Sequence, residues 1–305
     1  MAAAPSADRP LLGVMLRICS STLFACMAVM VKEASNRGAS MPELVFYRSA
    51  FALPVVAAWI TLGPGWGAVK TERPLAHVTR GVIGLTSMLL TFGALALLPL
   101  GEATTLSYAA PIVATLLSAI VLRERIGWHR WAAVLIGFIG VLLVIRPGHT
   151  HGLPPLGIAV GVGSALVLGG VMITLRQIGQ YEHTAAIVFW FTCLCTLFGA
   201  AMLPIFGQRH DMLTICLLVV SGLIGGGSQL TMTASLRFAP VATVVPFDYV
   251  QILWATLFGW LIFGSPPLAT TLFGAALIAG SGIYTAYRER IRGKIPPQVF
   301  APPES

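Results

Sequence analysis

Charge is what this chain has least of. Asp, Glu, Lys and Arg supply 10% of its 305 residues, hydrophobic residues 56%, and the mean hydropathy is +0.85. A water-soluble protein of this size could not cover its surface with so few charges, so the chain reads as an integral membrane protein. A Lys/Arg-rich start is missing from MAAAPSADRP, and the apolar run after it is long enough to stay in the bilayer, which argues against a cleaved signal peptide. The five cysteines (19, 26, 193, 195 and 216) are odd in number and lie in apolar segments without metal-ligand spacing, so they read as small core residues. The six histidines fall near the ends of predicted spans. Neither a metal site nor a cofactor is therefore expected. Enzyme signatures are absent too: there is no HExxH, no GxSxG, no pair of intramembrane aspartates and no DDxxD-like site. No soluble insert is long enough for a nucleotide-binding domain, so any transport must draw on gradients or exchange.

What the chain does have is apolar runs of helical length. Ten spans are predicted, at 11–34, 42–62, 76–98, 103–122, 128–145, 155–175, 184–206, 212–236, 241–263 and 267–287. With the N-terminus, alternate loops and the C-terminus on one face, fourteen Lys and Arg fall on that face and five on the other, which puts both termini in the cytoplasm of a multi-pass inner-membrane protein.

The chain also repeats itself. An offset of 141 residues carries Gly81, Gly84, Ser87, Pro99 and Tyr108 onto Gly222, Gly225, Ser228, Pro240 and Tyr249, with Ser107 facing Asp248. A two-residue gap then aligns Val45 and Phe46 with Val188 and Phe189. The expected organisation is a cytoplasmic tail (1–10), a five-helix repeat (11–147), a linker (148–154), a second five-helix repeat (155–288) and a cytoplasmic tail (289–305). Five is odd, so the second repeat enters the membrane in the opposite sense. The fold class expected is all-α, ten transmembrane helices in two inverted repeats, an arrangement that can open to each side in turn.

Polar residues within the spans mark the candidate site. Asp248 is the acidic residue placed well inside a span, where a carboxylate faces a cavity, a partner or a proton path, and it is the candidate coupling residue. Gln251 continues its face, with Tyr249 and Trp254 to the sides. In the fourth span Thr104, Tyr108, Pro111, Thr115 and Ser118 form one stripe at helical spacing. Ser87 and Thr91 with Gly84 in the third span, and Ser228 with Ser221, Gly225 and Ser235 in the eighth, make matching weak-polar stripes, and Gln229 is the odd one out, an amide in mid-span. Pro111 and Pro246 are each expected to free a carbonyl in mid-helix. Arg48 and Arg80 are the arginines considered as partners for Asp248, and the sequence does not choose between them; Arg48 is the deeper cation and Arg80 reads as an interfacial anchor. Tyr108, Tyr249 and Trp254 are expected to stack on substrate, in a cavity bounded by spans three, four, eight and nine, with contributions from one, two, six and seven. The pairs Gly157 and Gly161, Gly222 and Gly226, and Ala275 and Ala279 let helices approach.

FYRS in the second span, the run ERPLAHVTRG, the segment LPLGEATTLSYAAPIVATLLSAIVLRERIGWHRW leading into GFIGVLLVIRPG, and APVATVVPFDYVQILWATLFGWLIFG resemble the EamA-type branch of the drug/metabolite transporter superfamily. The likeness runs from about residue 11 to 288. It implies a secondary carrier of a small metabolite in the inner membrane, similar to carriers of S-adenosylmethionine and more distantly to those of riboflavin or of amino acids and their derivatives. One departure is visible: relatives carry an acidic residue just after the fourth and ninth spans, and Glu124 keeps the first while Ser265 stands at the second. The partners expected are a small-molecule metabolite and the lipid bilayer, without nucleic acid; a homodimer is left open. The alternatives weighed are a channel or lipid scramblase and an intramembrane enzyme.

Overall fold

The computed structural model describes residues 10–121, 128–146, 153–179, 181–239 and 244–292. Glu124, most of both tails (1–9 and 293–305) and most of the linker lie outside the described residues. The regular structure is helical: α1 (Pro10–Asn36), α2 (Met41–Leu62), α3 (Pro74–Leu97), α4 (Leu100–Ser107), α5 (Ala110–Val121), α6 (Trp128–Ile145), α7 (Pro155–Ile178), α8 (Thr184–Phe206), α9 (Met212–Phe238), α10 (Val250–Phe263) and α11 (Ala269–Arg292). Among the described residues, seven segments are by length and composition long and apolar enough to cross a bilayer. The helices α6 and α11 cross as shorter apolar stretches, and α4 and α5 together make the fourth span. Ten spans in two inverted five-helix repeats result.

The packing obeys the repeat. Span one (α1) lies along span eight (α9), and its symmetry mate, span three (α3), lies along span six (α7). Spans two and seven (α2 and α8), four and nine (α4 and α10), and five and ten (α6 and α11) pack against their own counterparts. Only a two-fold relation between the halves gives all five pairings at once. Where α6 crosses α11 the backbones almost touch: a Cβ at Gly140 would lie 2.7 Å from the Gly274 carbonyl oxygen, and one at Gly274 would lie 2.6 Å from that of Gly140. Apolar side chains such as Leu135 and Phe138 on α6 and Leu253 and Leu261 on α10 stay exposed, and lipid is the solvent that covers them.

Buried ions close one end of the bundle. Ser40 caps α2 reciprocally with Glu43, and the same carboxylate accepts from the Gln208 amide at 2.8 Å and lies 2.9 Å from His210 Nε2. Lys32 donates at 2.7 Å to each of the carbonyls of Leu95 and Leu98, acceptors that the last turn of α3 leaves unpaired. Glu102 accepts from Thr271 at 3.1 Å and pairs with Arg146 at 3.6 Å, tying spans four, five and ten together.

Two expectations are corrected. The fourth span is not one helix: it breaks at Tyr108 and Ala109 and restarts at Ala110, so Pro111 occupies a first helical turn, where a missing N–H costs nothing. Among the described residues of the ninth span, Val244 is helical and a 3-10 turn, Val245–Tyr249, follows it with Pro246 in its opening turn. Both prolines thus lie in the first turn of a helical segment. The breaks fall at matched positions, because Tyr108 and Tyr249 are equivalent in the repeat.

Candidate functional site

Asp248 reaches its place through that 3-10 turn. Its carboxylate takes a two-pronged contact from Arg17 on α1, Nε to Oδ1 and Nη2 to Oδ2. This fork-to-fork geometry is the strong form of an ion pair. Neither Arg48 nor Arg80 is its partner, and the reason is topological: α1 packs along the 3-10 turn and α10, while α2 and α3 are held against the other repeat by α8, α9 and α7. The Arg17 side chain is 9% exposed and that of Asp248 25%. Tyr108 donates its hydroxyl to the Asp248 carbonyl at 2.8 Å and lies 2.9 Å from Gln251 Oε1, so the broken fourth span is bound to the broken ninth. The Tyr108 and Tyr249 rings stand 5.3 Å apart at 45°. Tyr249 itself turns away from the network, with its hydroxyl over Gly282, where a Cβ would sit 1.5 Å away. It faces an apolar cavity of about 290 Å³ between α10 and α11 that is also lined by Leu253, Trp260, Ala275 and Ala279.

A second polar region lies between the repeats. Arg48 and Ala52 of α2, Arg80 of α3, Phe191 and Thr192 of α8 and Gln229 of α9 are among the residues lining a cavity of about 110 Å³. Arg48 is 9% exposed and Arg80 8%. The Arg80 guanidinium lies over the Phe191 ring, 4.6 Å from its centroid, while its Nε and Nη1 are buried without a hydrogen-bond partner. Two matched glycines make the room. A Cβ at Gly84 would sit 2.1 Å from Arg80 Nη1, and one at Gly225 would sit 3.4 Å from Arg48 Nε.

The expected site residues thus separate into groups. Asp248, Tyr108 and Gln251 come together with Arg17. Arg48 and Gln229 come together with Arg80 in a cavity that none of the first group lines. Ser228 is fully buried, donates to the Gly225 carbonyl at 2.8 Å, and through its own carbonyl accepts from Ser20 at 2.8 Å, so its hydroxyl serves helix packing. Ser87, Thr91 and Thr104 line neither of the two cavities. Trp254 stacks on Phe258 with centroids 5.5 Å apart, and its buried indole N–H has no hydrogen-bond partner. Spans three and eight of the expected core line this cavity, together with two, six and seven, which were expected to contribute; spans one, four and nine do not line it.

Two residues escaped the sequence reading. Arg17 counts as a flanking charge, yet it has uncharged, mostly apolar residues on both sides from Pro10 to Val31, which is the pattern of an interior cation. Arg80 reads as an anchor because it lies one and a half turns from the start of α3; Gly84, four residues on, is the signal that its side chain folds back along the helix. Among the described residues no cluster of His, Cys, Asp or Glu could hold a metal ion.

Comparison with known proteins fits this frame. The EamA-like transporter family matches the chain twice, at residues 11–146 and 155–287. The pseudopaline exporter CntI of Pseudomonas aeruginosa is 28% identical over 269 residues, covering 87% of this chain and 93% of that protein. The riboflavin transporter of Rhizobium johnstonii is 29% identical and covers 76% of each chain. An S-adenosylmethionine uptake transporter of Rickettsia prowazekii is 25% identical, covering 81% of this chain and 83% of the other. A solved crystal structure, 20% identical, superposes on 93% of this chain and 99% of its own with a TM-score of 0.62, which establishes the shared fold.

Proposed function

Because the chain belongs to the EamA-like transporter family, we propose that this membrane transporter is a secondary active carrier that moves a small organic metabolite across the inner membrane by alternating access. The observation that carries the reading is the cavity between the two repeats, with cations from one repeat and an amide and an aromatic ring from the other among its lining. Inverted repeats joined at such a site can rock between two equivalent states, exposing it to each side in turn. In this reading the repeats are 11–147 and 155–288, and the linker and both tails, 1–10 and 289–305, lie outside the membrane.

The orientation follows from charge. Setting aside Arg17, Arg80, Lys32 and Arg48, which are buried, the Lys and Arg count falls from fourteen to twelve on the face bearing the termini and from five to three on the other. The sharper asymmetry favours cytoplasmic termini. Arg17, Asp248 and Tyr108 then form a cytoplasmic gate, because they join span one to the broken fourth and ninth spans. Asp248 serves coupling in the state where this pair is parted and the carboxylate meets water.

The relatives named for pseudopaline, riboflavin and S-adenosylmethionine include an exporter and an uptake transporter, so substrates of those kinds, or others derived from amino acids, set the first panel. The decisive experiment is uptake of labelled S-adenosylmethionine, riboflavin, amino acids and organic acids into proteoliposomes, with and without an imposed pH gradient. Saturable flux that accumulates with the gradient or with trans substrate is expected, and Asp248→Asn should abolish or uncouple it. Non-saturable flux, or a chemically altered product, would sink the carrier reading.

A further inference from the structure

We propose that Arg48 and Arg80 together form the binding site for an oxyanion of the carried metabolite, a carboxylate or a phosphate, a proposal that rests on the carrier reading above. The first ground is electrostatic. A buried cation in a membrane protein is paired or faces a functional cavity. Among the described residues no Asp or Glu lies within ion-pair distance of either guanidinium, whereas Arg17, Arg37 and Arg146 all have acidic partners. Two such charges in one cavity of about 110 Å³ repel each other as well as losing water. An anion between them relieves both costs.

The second ground is geometric. Arg80 keeps Nε and Nη1 buried and without a hydrogen-bond partner, and either of them together with Nη2 makes the pair of donors that grips an oxyanion two-pronged. Phe191 steadies the flat face of the group and leaves its edge free. Gln229 supplies a neutral amide from the other repeat, while the Thr192 hydroxyl beside it is held by the Val188 carbonyl at 2.8 Å. The third ground is the broken symmetry. The repeat offsets place Phe191 opposite Arg48 and Ser221 opposite Arg80, so the second repeat carries no equivalent charge. The scaffold therefore does not require these arginines, although the matched glycines Gly84 and Gly225 make space for them.

The test is ligand-induced thermal stabilisation of the purified full-length chain in detergent, which needs no transport cycle. The probes are amino acids, mono- and dicarboxylates, phosphate monoesters and inorganic phosphate, each organic anion set beside its neutral amide or alcohol. Anions should stabilise the wild type and their neutral counterparts should not. Arg48→Gln and Arg80→Gln should raise the half-saturating concentration about tenfold or more, the loss of a charged hydrogen bond, with Arg48→Lys intermediate. Without ligand, both Gln variants should be at least as stable as the wild type, since an unpaired buried charge is removed; a purely structural arginine would give the opposite. The proposal is overturned if no anion in the panel stabilises the protein, or if stabilisation survives in both Gln variants. Absence of flux in proteoliposomes with anion binding intact would instead sink the carrier reading alone.

Discussion

At the scale of single residues, the ion pair between Arg17 and Asp248 is the most informative arrangement to disturb. Each group has given up most of its water, and removing one partner strands the other. Arg17→Gln is expected to lower unfolding stability by about 3 kcal/mol, the low end of the range for buried pairs, because a quarter of the Asp248 side chain is still exposed. The double variant Arg17→Gln, Asp248→Asn should recover part of that loss, and denaturation in detergent checks both. An Arg17→Gln midpoint equal to the wild type would show that the pair holds nothing. The sequence revealed half of this site. Asp248 is legible because a carboxylate stands out in a span, but its partner depends on which helix packs beside the 3-10 turn, and that is a property of the assembled bundle. The hydroxyls mislead for a local reason: Ser228, Thr105 and Thr115 satisfy themselves on carbonyls of their own helices, and nothing in composition separates such a hydroxyl from one that lines a cavity.

At the scale of elements, the spans were legible because length and hydropathy alone define them, and α6 and α8 begin and end at the expected residues. The broken fourth and ninth spans were not. Tyr108 and Ala109 carry no breaker signal, and the prolines that follow or precede the breaks fit an unbroken kinked helix equally well. Short helices that meet inside a membrane expose backbone ends, and these two are stitched by Tyr108 donating to the Asp248 carbonyl. Elsewhere, contact between whole elements is limited by backbone. At the α6 and α11 crossing any side chain at position 140 must displace the Gly274 carbonyl, which cannot swing aside as a side-chain tip can. Gly140→Val is therefore expected to cost about 3 kcal/mol, the upper part of the overpacking range. Gly280→Ala on the same helix α11, where a Cβ would meet nothing within 4 Å, should be neutral or slightly stabilising. Equal losses from both substitutions would mean that the crossing is looser than described.

At the scale of the whole molecule, the alternating access proposed above requires each face to be held shut with bonds that can be broken again. One face is tied by Glu43 with His210 and by Glu102 with Arg146. The other has, besides the pair between Arg17 and Asp248, a latch between the repeats. Thr71, before α3, donates to Glu182 Oε1 at 2.7 Å, His77 Nε2 lies 3.3 Å from Oε2, and Arg73 sits over the Tyr181 ring at 4.0 Å. Glu182 stands in the turn between α7 and α8, so the latch joins one repeat to the other outside the spans. Burial pushes this carboxyl up, but the Thr71 hydroxyl and His77 outweigh it, and the net direction is below the ordinary value of 4.5. A carboxyl depressed in the folded state favours folding at every pH above its ordinary value, and that contribution disappears as the pH drops through the lower folded value. The stability gap between the wild type and Glu182→Gln should accordingly be full at pH 7, shrink below pH 4.5 and close in stronger acid. Unfolding midpoints taken across that range in detergent decide the matter, since a gap of constant size down to pH 3 would mean that the Glu182 charge takes no part in holding the two repeats together.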